Sequence, residues 1–136
     1  MAASERPTGG PERTDVLLVE DDQVIARLTV RHLELAGCTV THASTGGGAL
    51  EACARQRFAL VLLDHGLPDL DGTETTRRLR ALPGGQDLHI VWLTGDPTLV
   101  DHPQSAAADA VAAKPLSGEG LRDLVARWAG RSARSI

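Results

Sequence analysis

The sequence predicts an α/β domain: a doubly wound, five-stranded parallel sheet covered by helices on both faces, in three layers. Three observations carry that expectation. Short apolar runs alternate along the chain with stretches of helical period. The runs Leu17-Leu18-Val19 and Leu60-Val61-Leu62-Leu63 lack the in-out alternation of a half-exposed strand, as strands buried on both sides do. Finally, 136 residues with 42% apolar and 24% charged side chains suffice for one cored domain and are too few for a multidomain enzyme. Parallel strands need crossovers, and the intervening helices supply them.

The elements follow in order. Met1 to Thr14 mixes small, polar and charged residues with Pro7, Gly9, Gly10 and Pro11, and reads as a disordered tail. The folded body runs from Asp15 to Gly130, and Arg131 to Ile136 reads as a short polar tail. Strands are expected at Val16–Val19, Thr39–Ala43, Ala59–Leu63, Ile90–Leu93 and Ala110–Ala113. The first helix spans Gln23 to Ala36, with Ile25, Leu28, His32 and Leu35 near one face and Gly37 as its stop. A second helix, Gly47 to Gln56, starts on poor helix formers, and a third runs from Gly72 to Leu82 before Pro83-Gly84-Gly85. Pro97 and Pro103 break the next stretch, so a loop to His102 and then a short fourth helix with Pro103 at its first position are expected. In the fifth, Ser117 is the N-cap and Leu121, Leu124, Val125 and Trp128 fall on one face.

Composition narrows the function. Fourteen basic against eighteen acidic residues give a net charge of −4, which disfavours nucleic acid binding by this chain alone. Nothing at the amino terminus resembles a signal peptide and no apolar run is long enough to span a bilayer, so a cytoplasmic protein without a membrane partner is expected. Cys38 and Cys53 are too few for a disulfide framework. Of the 14 basic residues only Lys114 is lysine, which points to a place that needs a compact point charge, or else to arginine-biased codon use with one survivor.

In open parallel sheets ligands sit beyond the carboxyl ends of the strands. Strand one ends in Glu20-Asp21-Asp22, strand three in Asp64, strand four in Thr94 and strand five in Lys114. Carboxylates gathered there repel one another and need a hard cation, and an oxygen-only set indicates magnesium or an equivalent such as manganese. Asp64, after a wholly apolar strand and before a turn, is the acid best placed to act as a nucleophile. Carboxylate, divalent cation, ammonium and hydroxyl are the parts of phosphoryl transfer, and the product would be an aspartyl phosphate. Singly, each of these acids also fits a strand-end cap or a turn residue, and Asp22 fits a helix N-cap better than a ligand. Pro68, Asp69, Asp71 and Gly72 read as turn residues. His42, His65, His89 and His102 have no ligand spacing and read as surface or filler, and the Thr45 to Gly48 run lacks the spacing of a phosphate-cradling loop.

The acidic cluster in VLLVEDD, the segment LVLLDHGLPDLDG, the threonine of VWLTG and the lysine-proline of AAKPL occur in one order. In that order the chain, over Asp15 to Ala129, resembles the receiver domain of two-component response regulators. The resemblance implies a flavodoxin-like sheet with strand order 2-1-3-4-5. It implies that Glu20 and Asp21 bind the metal, and that Asp64 accepts the phosphoryl group and ligates the metal. Gly66 would offer the metal its backbone carbonyl, while Thr94 and Lys114 would each bond a phosphoryl oxygen. It also implies a histidine kinase or histidine phosphotransfer protein docking near helix one, and a downstream protein partner on the face of helix four, strand five and helix five. The chain would not be an enzyme, apart from transfer to and hydrolysis from its own aspartate. That hydrolysis is expected to be not unusually slow, because Gly66 leaves the approach open and Asp96 is placed to orient a water. Many receivers carry an aromatic residue three before the lysine, where this chain has Val111. A phosphorylation-independent binding module is the alternative. An aspartate-nucleophile phosphatase would need a second acid at position 66, which is glycine.

Overall fold

A computed structural model describes residues 14–96, 98–99 and 107–129. The five strands are β1 (Thr14–Val19), β2 (Cys38–Ala43), β3 (Leu60–Asp64), β4 (Ile90–Thr94) and β5 (Ala110–Ala113). Four helices accompany them: α1 (Gln23–Leu35), α2 (Gly46–Arg55), α3 (Gly72–Ala81) and α4 (Gly118–Leu124), the last continuing as a π-helical turn, Val125–Ala129. Here α4 is the fifth helix expected from the sequence. The expected fourth helix at Pro103, residues 1–13 of the amino-terminal tail and the carboxyl-terminal tail lie outside the described residues, while Thr14 opens β1.

All pairings are parallel and the strand order is β2-β1-β3-β4-β5, the expected doubly wound sheet. Because β1 and β3 are flanked on both sides, their apolar runs divide between two cores. On one face Val16, Leu18, Leu60, Leu62, Val91 and Leu93 pack with Ala26 and Leu33 of α1 and Leu121 of α4. On the other, Leu17, Val19, Val61, Leu63, Ile90 and Trp92 pack with Ala49 of α2 and Leu79 of α3. A one-residue slip of any central strand would exchange the two sets, so the register is fixed by packing on both sides.

Local chemistry sets the helix ends. Asp22 caps α1, its Oδ1 accepting from the amides of Val24 (2.9 Å) and Ile25 (3.0 Å). Asp71 caps α3 through Glu74 (2.8 Å), and Ser117 caps α4 through Gly120 (2.9 Å). Gly37, at φ +95°, takes the left-handed conformation that ends α1. The glycine-rich start of α2 is held twice: Thr45 Oγ1 accepts from Gly48 (2.9 Å), and the Asp69 carboxylate accepts from Gly46 (2.9 Å) and Gly47 (3.0 Å). Asp69, expected as a turn residue only, therefore ties the loop after β3 to the amino end of α2.

The face of α1 departs from expectation. Ala26 and Leu33 are buried with Val30 packed beside them, whereas Val24, Ile25, Leu28 and Leu35 are exposed. Both stripes obey the helical period, and the smaller one, closed by Ala26, lets the helix approach the sheet. The Ile25-Leu28-Leu35 stripe is left on the outside.

His89 is buried against Trp128, ring centroids 5.7 Å apart, with neither ring nitrogen hydrogen-bonded among the described residues. A neutral imidazole always carries one N–H, so this site leaves a buried donor unsatisfied. His89→Phe is expected to stabilise the fold by about 1 kcal/mol, read as a rise in the urea midpoint at unchanged slope. A fall in that midpoint would contradict this account.

Candidate functional site

The residues that end β1, β3, β4 and β5 meet at the carboxyl edge of the sheet. Backbone bonds align that edge: Glu20 N donates to Ala43 O (3.0 Å), His65 N to Leu93 O (3.0 Å) and Lys114 N to Thr94 O (2.7 Å). There Glu20, Asp64 and Thr94 are buried and Asp21 is exposed. One carboxylate oxygen from each of Glu20, Asp21 and Asp64 lies within 4.8 Å of the others.

Lys114 joins the acids. Its Nζ lies 3.1 Å from Glu20 Oε1 and 3.3 Å from Asp64 Oδ2. Asp64 Oδ1 accepts the Gly66 amide at 3.0 Å, and Glu20 Oε2 accepts the Asp22 amide at 3.2 Å. Thr94 Oγ1 accepts from the Asp96 amide at 3.0 Å. Glu20, Asp21, Asp64 and Lys114, expected at this edge, are thus together, and Thr94 is tied to Lys114 through the backbone. No contact of the Gly66 carbonyl places it in the set, although its amide is there.

These neighbours divide the ionisation. Burial pushes Asp64 up, but the Gly66 amide, Glu20 and the Lys114 ammonium outweigh it and hold its carboxyl below the ordinary range. Burial and the adjacent Asp64 carboxylate raise Glu20 despite Lys114. Burial alone would lower Lys114, yet the two acids raise it. Of the two buried acids, Asp64 is held toward the ionised form and Glu20 is pushed toward the protonated one.

Three supporting contacts were not legible in the sequence. His42 Nε2 lies 2.8 Å from the Glu20 backbone oxygen, so this histidine braces the end of β1 instead of serving as filler. The pairing of β1 with β2, which puts Leu18 opposite His42, is the signal that could have found it. The His65 ring stacks on Trp92 with centroids 4.6 Å apart. Asp96 Oδ1 accepts from Thr98 N (3.0 Å) and Thr98 Oγ1 (2.6 Å), closing a turn.

Residues 16–126 match the sequence model of the response regulator receiver domain. Among relatives, the response regulator receiver protein CpdR of Brucella abortus is 40% identical over 112 residues, covering 81% of this chain and 89% of that protein. The transcription factor SKN7 of Saccharomyces cerevisiae is 34% identical over 116 residues, 83% of this chain but 18% of that protein. Among solved structures, the receiver domain of the sensor histidine kinase PA1611 of Pseudomonas aeruginosa, with magnesium coordinated in its active-site cleft, superposes with a TM-score of 0.81 at 32% identity. That match covers 88% of this chain and 99% of the other. The response regulator TrrA of Thermotoga maritima, in complex with magnesium and BeF, gives 0.77 at 26% identity, over 84% and 97%.

A parallel sheet of this strand order with acids and a lysine at its carboxyl edge is the arrangement of a two-component signalling module. The chain belongs to the response regulator receiver family of two-component signal transduction. The oxygen-only set of Glu20, Asp21 and Asp64 fits a magnesium ion, a hard cation that takes carboxylates. No helix among the described residues is long and apolar enough to cross a membrane.

The raised Glu20 has a consequence for stability. Because its folded-state pKa lies above the unfolded one, its contribution is fully present below the unfolded value and is lost as pH rises through the folded value. Glu20→Gln removes the charge at nearly constant shape, its amide oxygen keeping one of the two bonds that Glu20 accepts from Asp22 N and Lys114 Nζ. In chelator, the variant is expected to be more stable than wild type near pH 8 and equal to it below about pH 4. Urea unfolding at the two pH values tests this, and a lower stability of the variant near pH 8 would contradict it.

Proposed function

We propose that the chain accepts a phosphoryl group on Asp64 from a histidine kinase or histidine phosphotransfer protein and relays the signal through changed protein contacts. The observation that carries this reading is the Asp64 carboxylate 3.3 Å from the only lysine, with the oxygens of Glu20 and Asp21 alongside.

Asp64 attacks phosphorus through a carboxylate oxygen, an oxygen–phosphorus bond forms, and the bond to the donor's histidine nitrogen breaks. Lys114 pairs with one phosphoryl oxygen, in place of its present bond to Asp64, and the Thr94 hydroxyl donates to another. Glu20, Asp21, Asp64 and the carbonyl of Gly66 would hold magnesium, which would supply positive charge at the transferred group. Hydrolysis returns the aspartate. A Cβ at Gly66 would meet only Asp64 Oδ1, at 3.8 Å, so the approach of water is open on that side and decay is not unusually slow.

The donor docks near α1. The exposed Val24, Ile25, Leu28 and Leu35 make an apolar surface there, beside a cavity of about 320 Å³ lined by Ile25, Leu28, His32, Lys114, Pro115 and Leu116. An apolar patch ending at Lys114 suits a helical donor that must deliver its phosphoryl group to Asp64. A cytoplasmic domain bounded by residues 15 and 130, with polar tails, is part of the same reading. The downstream partner contacts β5 and the helices flanking it. Val111 favours a second reading, a module whose binding does not depend on phosphorylation, because a small branched side chain on β5 has little room to reorient.

Incubation with acetyl phosphate and magnesium is expected to add one phosphoryl group by intact mass, to fail without magnesium and to fail in a folded Asp64→Asn variant. Absence of any gain in wild type would transfer the case to the second reading, and persistence of the adduct for days at neutral pH would contradict open hydrolysis. Lys114→Arg keeps the charge but replaces the compact ammonium with a planar fork, and is expected to slow phosphorylation by about tenfold or more. An unchanged rate would make the single lysine a matter of codon use.

A further inference from the structure

The peptide that follows Asp64 leaves the sheet at the point where the acceptor site is built. Its Asp64 end is fixed by β3 and its far end by the buried side chain of Leu67. Between them His65 is gripped from several directions. Its amide donates to Leu93 O (3.0 Å), and its carbonyl accepts from Gly72 N (3.1 Å). Its ring lies on Trp92, with centroids 4.6 Å apart and planes inclined at 52°. Trp92 is fully buried, and its indole N–H donates to Thr76 Oγ1 of α3 at 2.8 Å. A Cβ on Gly72 would come within 2.6 Å of His65 Cδ2 and 3.1 Å of its Cα, so glycine is what allows α3 to close on this ring.

The contact with Trp92 does not use the imidazole Nε2. His65 Nε2 is buried without a hydrogen-bond partner among the described residues, so the ring is held by its face and shape. The next residue, Gly66, donates to Asp64 Oδ1 at 3.0 Å. As a glycine it has no side chain to anchor its own peptide. The orientation of Gly66, whose amide sits on Asp64, therefore follows from the fixed peptide of His65 before it.

We infer that His65 is a positioning residue for the acceptor site: wedged between Trp92 and Gly72, it fixes the Asp64–Gly66 backbone and thereby sets cation affinity and the rate of phosphoryl acceptance. The inference rests on the function proposed above. It needs an aromatic ring at position 65 and not an imidazole in particular. A side chain that supports ligands without touching them typically changes metal affinity by tenfold or more when lost.

The test measures the magnesium dissociation constant by calorimetry and the initial rate with acetyl phosphate, on wild type, His65→Ala, His65→Phe and Thr76→Val. His65→Ala is expected to weaken magnesium about tenfold and to slow phosphorylation in step, while still unfolding cooperatively. His65→Phe restores both to within about threefold of wild type, and Thr76→Val, which loosens Trp92 from α3 far from any ligand, weakens magnesium about threefold. A folded His65→Ala with wild-type magnesium affinity overturns the inference, as does a His65→Phe no better than alanine. Should the alanine variant not fold, Thr76→Val decides, and unchanged magnesium affinity there overturns the clamp. If wild type binds magnesium but takes no phosphoryl group, the proposed function fails while the clamp is judged on magnesium alone. If wild type binds no magnesium, both fail.

Discussion

Three carboxylates cannot share one edge of a sheet without a cation among them, and the Lys114 ammonium, bonded to both Glu20 and Asp64, is that cation within the chain. Two of the three acids are buried, where desolvation and mutual repulsion both act against charge. The ammonium offsets that cost only partly, since Glu20 remains raised while Asp64 is held low. The site is therefore incomplete by construction. Three carboxylates stand there beside one ammonium, a donor set that suits a divalent cation. A guanidinium would satisfy the two acids more fully through its fixed fork, and a compact ammonium is easier to redirect from a carboxylate to an incoming oxygen.

That arrangement depends on strands ending in step. Lys114 and Glu20 are separated by 94 residues, and their meeting is a product of the sheet. Val19 pairs with Leu63, Asp64 with Leu93, and Thr94 with Ala113, so the residues that follow β1 and β5 and those that close β3 and β4 arrive at one level. The two cores enforce this register, because each central strand buries alternate side chains above and below the sheet. Stability and function draw on the same constraint: any slip that spared the site would expose one core, and any slip that spared the core would dismantle the site.

How much of this the sequence discloses follows from the range of each interaction. Strand ends, the cap at Asp22, the cap at Ser117 and the stop at Gly37 are local events between residues a few positions apart, and they are legible. The convergence of Glu20, Asp64, Thr94 and Lys114 is legible too, because topology alone places strand ends together. The core-facing side of α1 is not, since two apolar stripes share one period and only the shape of the sheet selects the one closed by Ala26. Asp69 on the amides of Gly46 and Gly47, His42 on the Glu20 carbonyl and His65 on Trp92 are illegible for a different reason. Each joins loops or strands brought close only by the finished fold, through residues whose types fit a dozen ordinary roles.

Trp92 and Val111 are register partners on β4 and β5, and together they show how a change at the site can leave it. Valine has a single side-chain torsion, restricted by branching, so no large swing is available on the edge strand. The bulky side chain lies one strand inward instead, on β4, fully buried and bonded to α3 through Thr76. Two routes then connect the acceptor to the surface. One is the backbone, where Lys114 and Thr94 are joined main chain to main chain at 2.7 Å, so that redirecting either side chain strains the loop after β4 and the start of the loop after β5 together. The other is the packed line from His65 through Trp92 to α3. A packed line of rigid rings transmits displacement without rotamer change, since a close-packed interior has no slack to absorb it. In this chain α3 is linked to the Asp64 site by packing through His65 and Trp92, and β5 by the Lys114 side chain together with its backbone bond to Thr94.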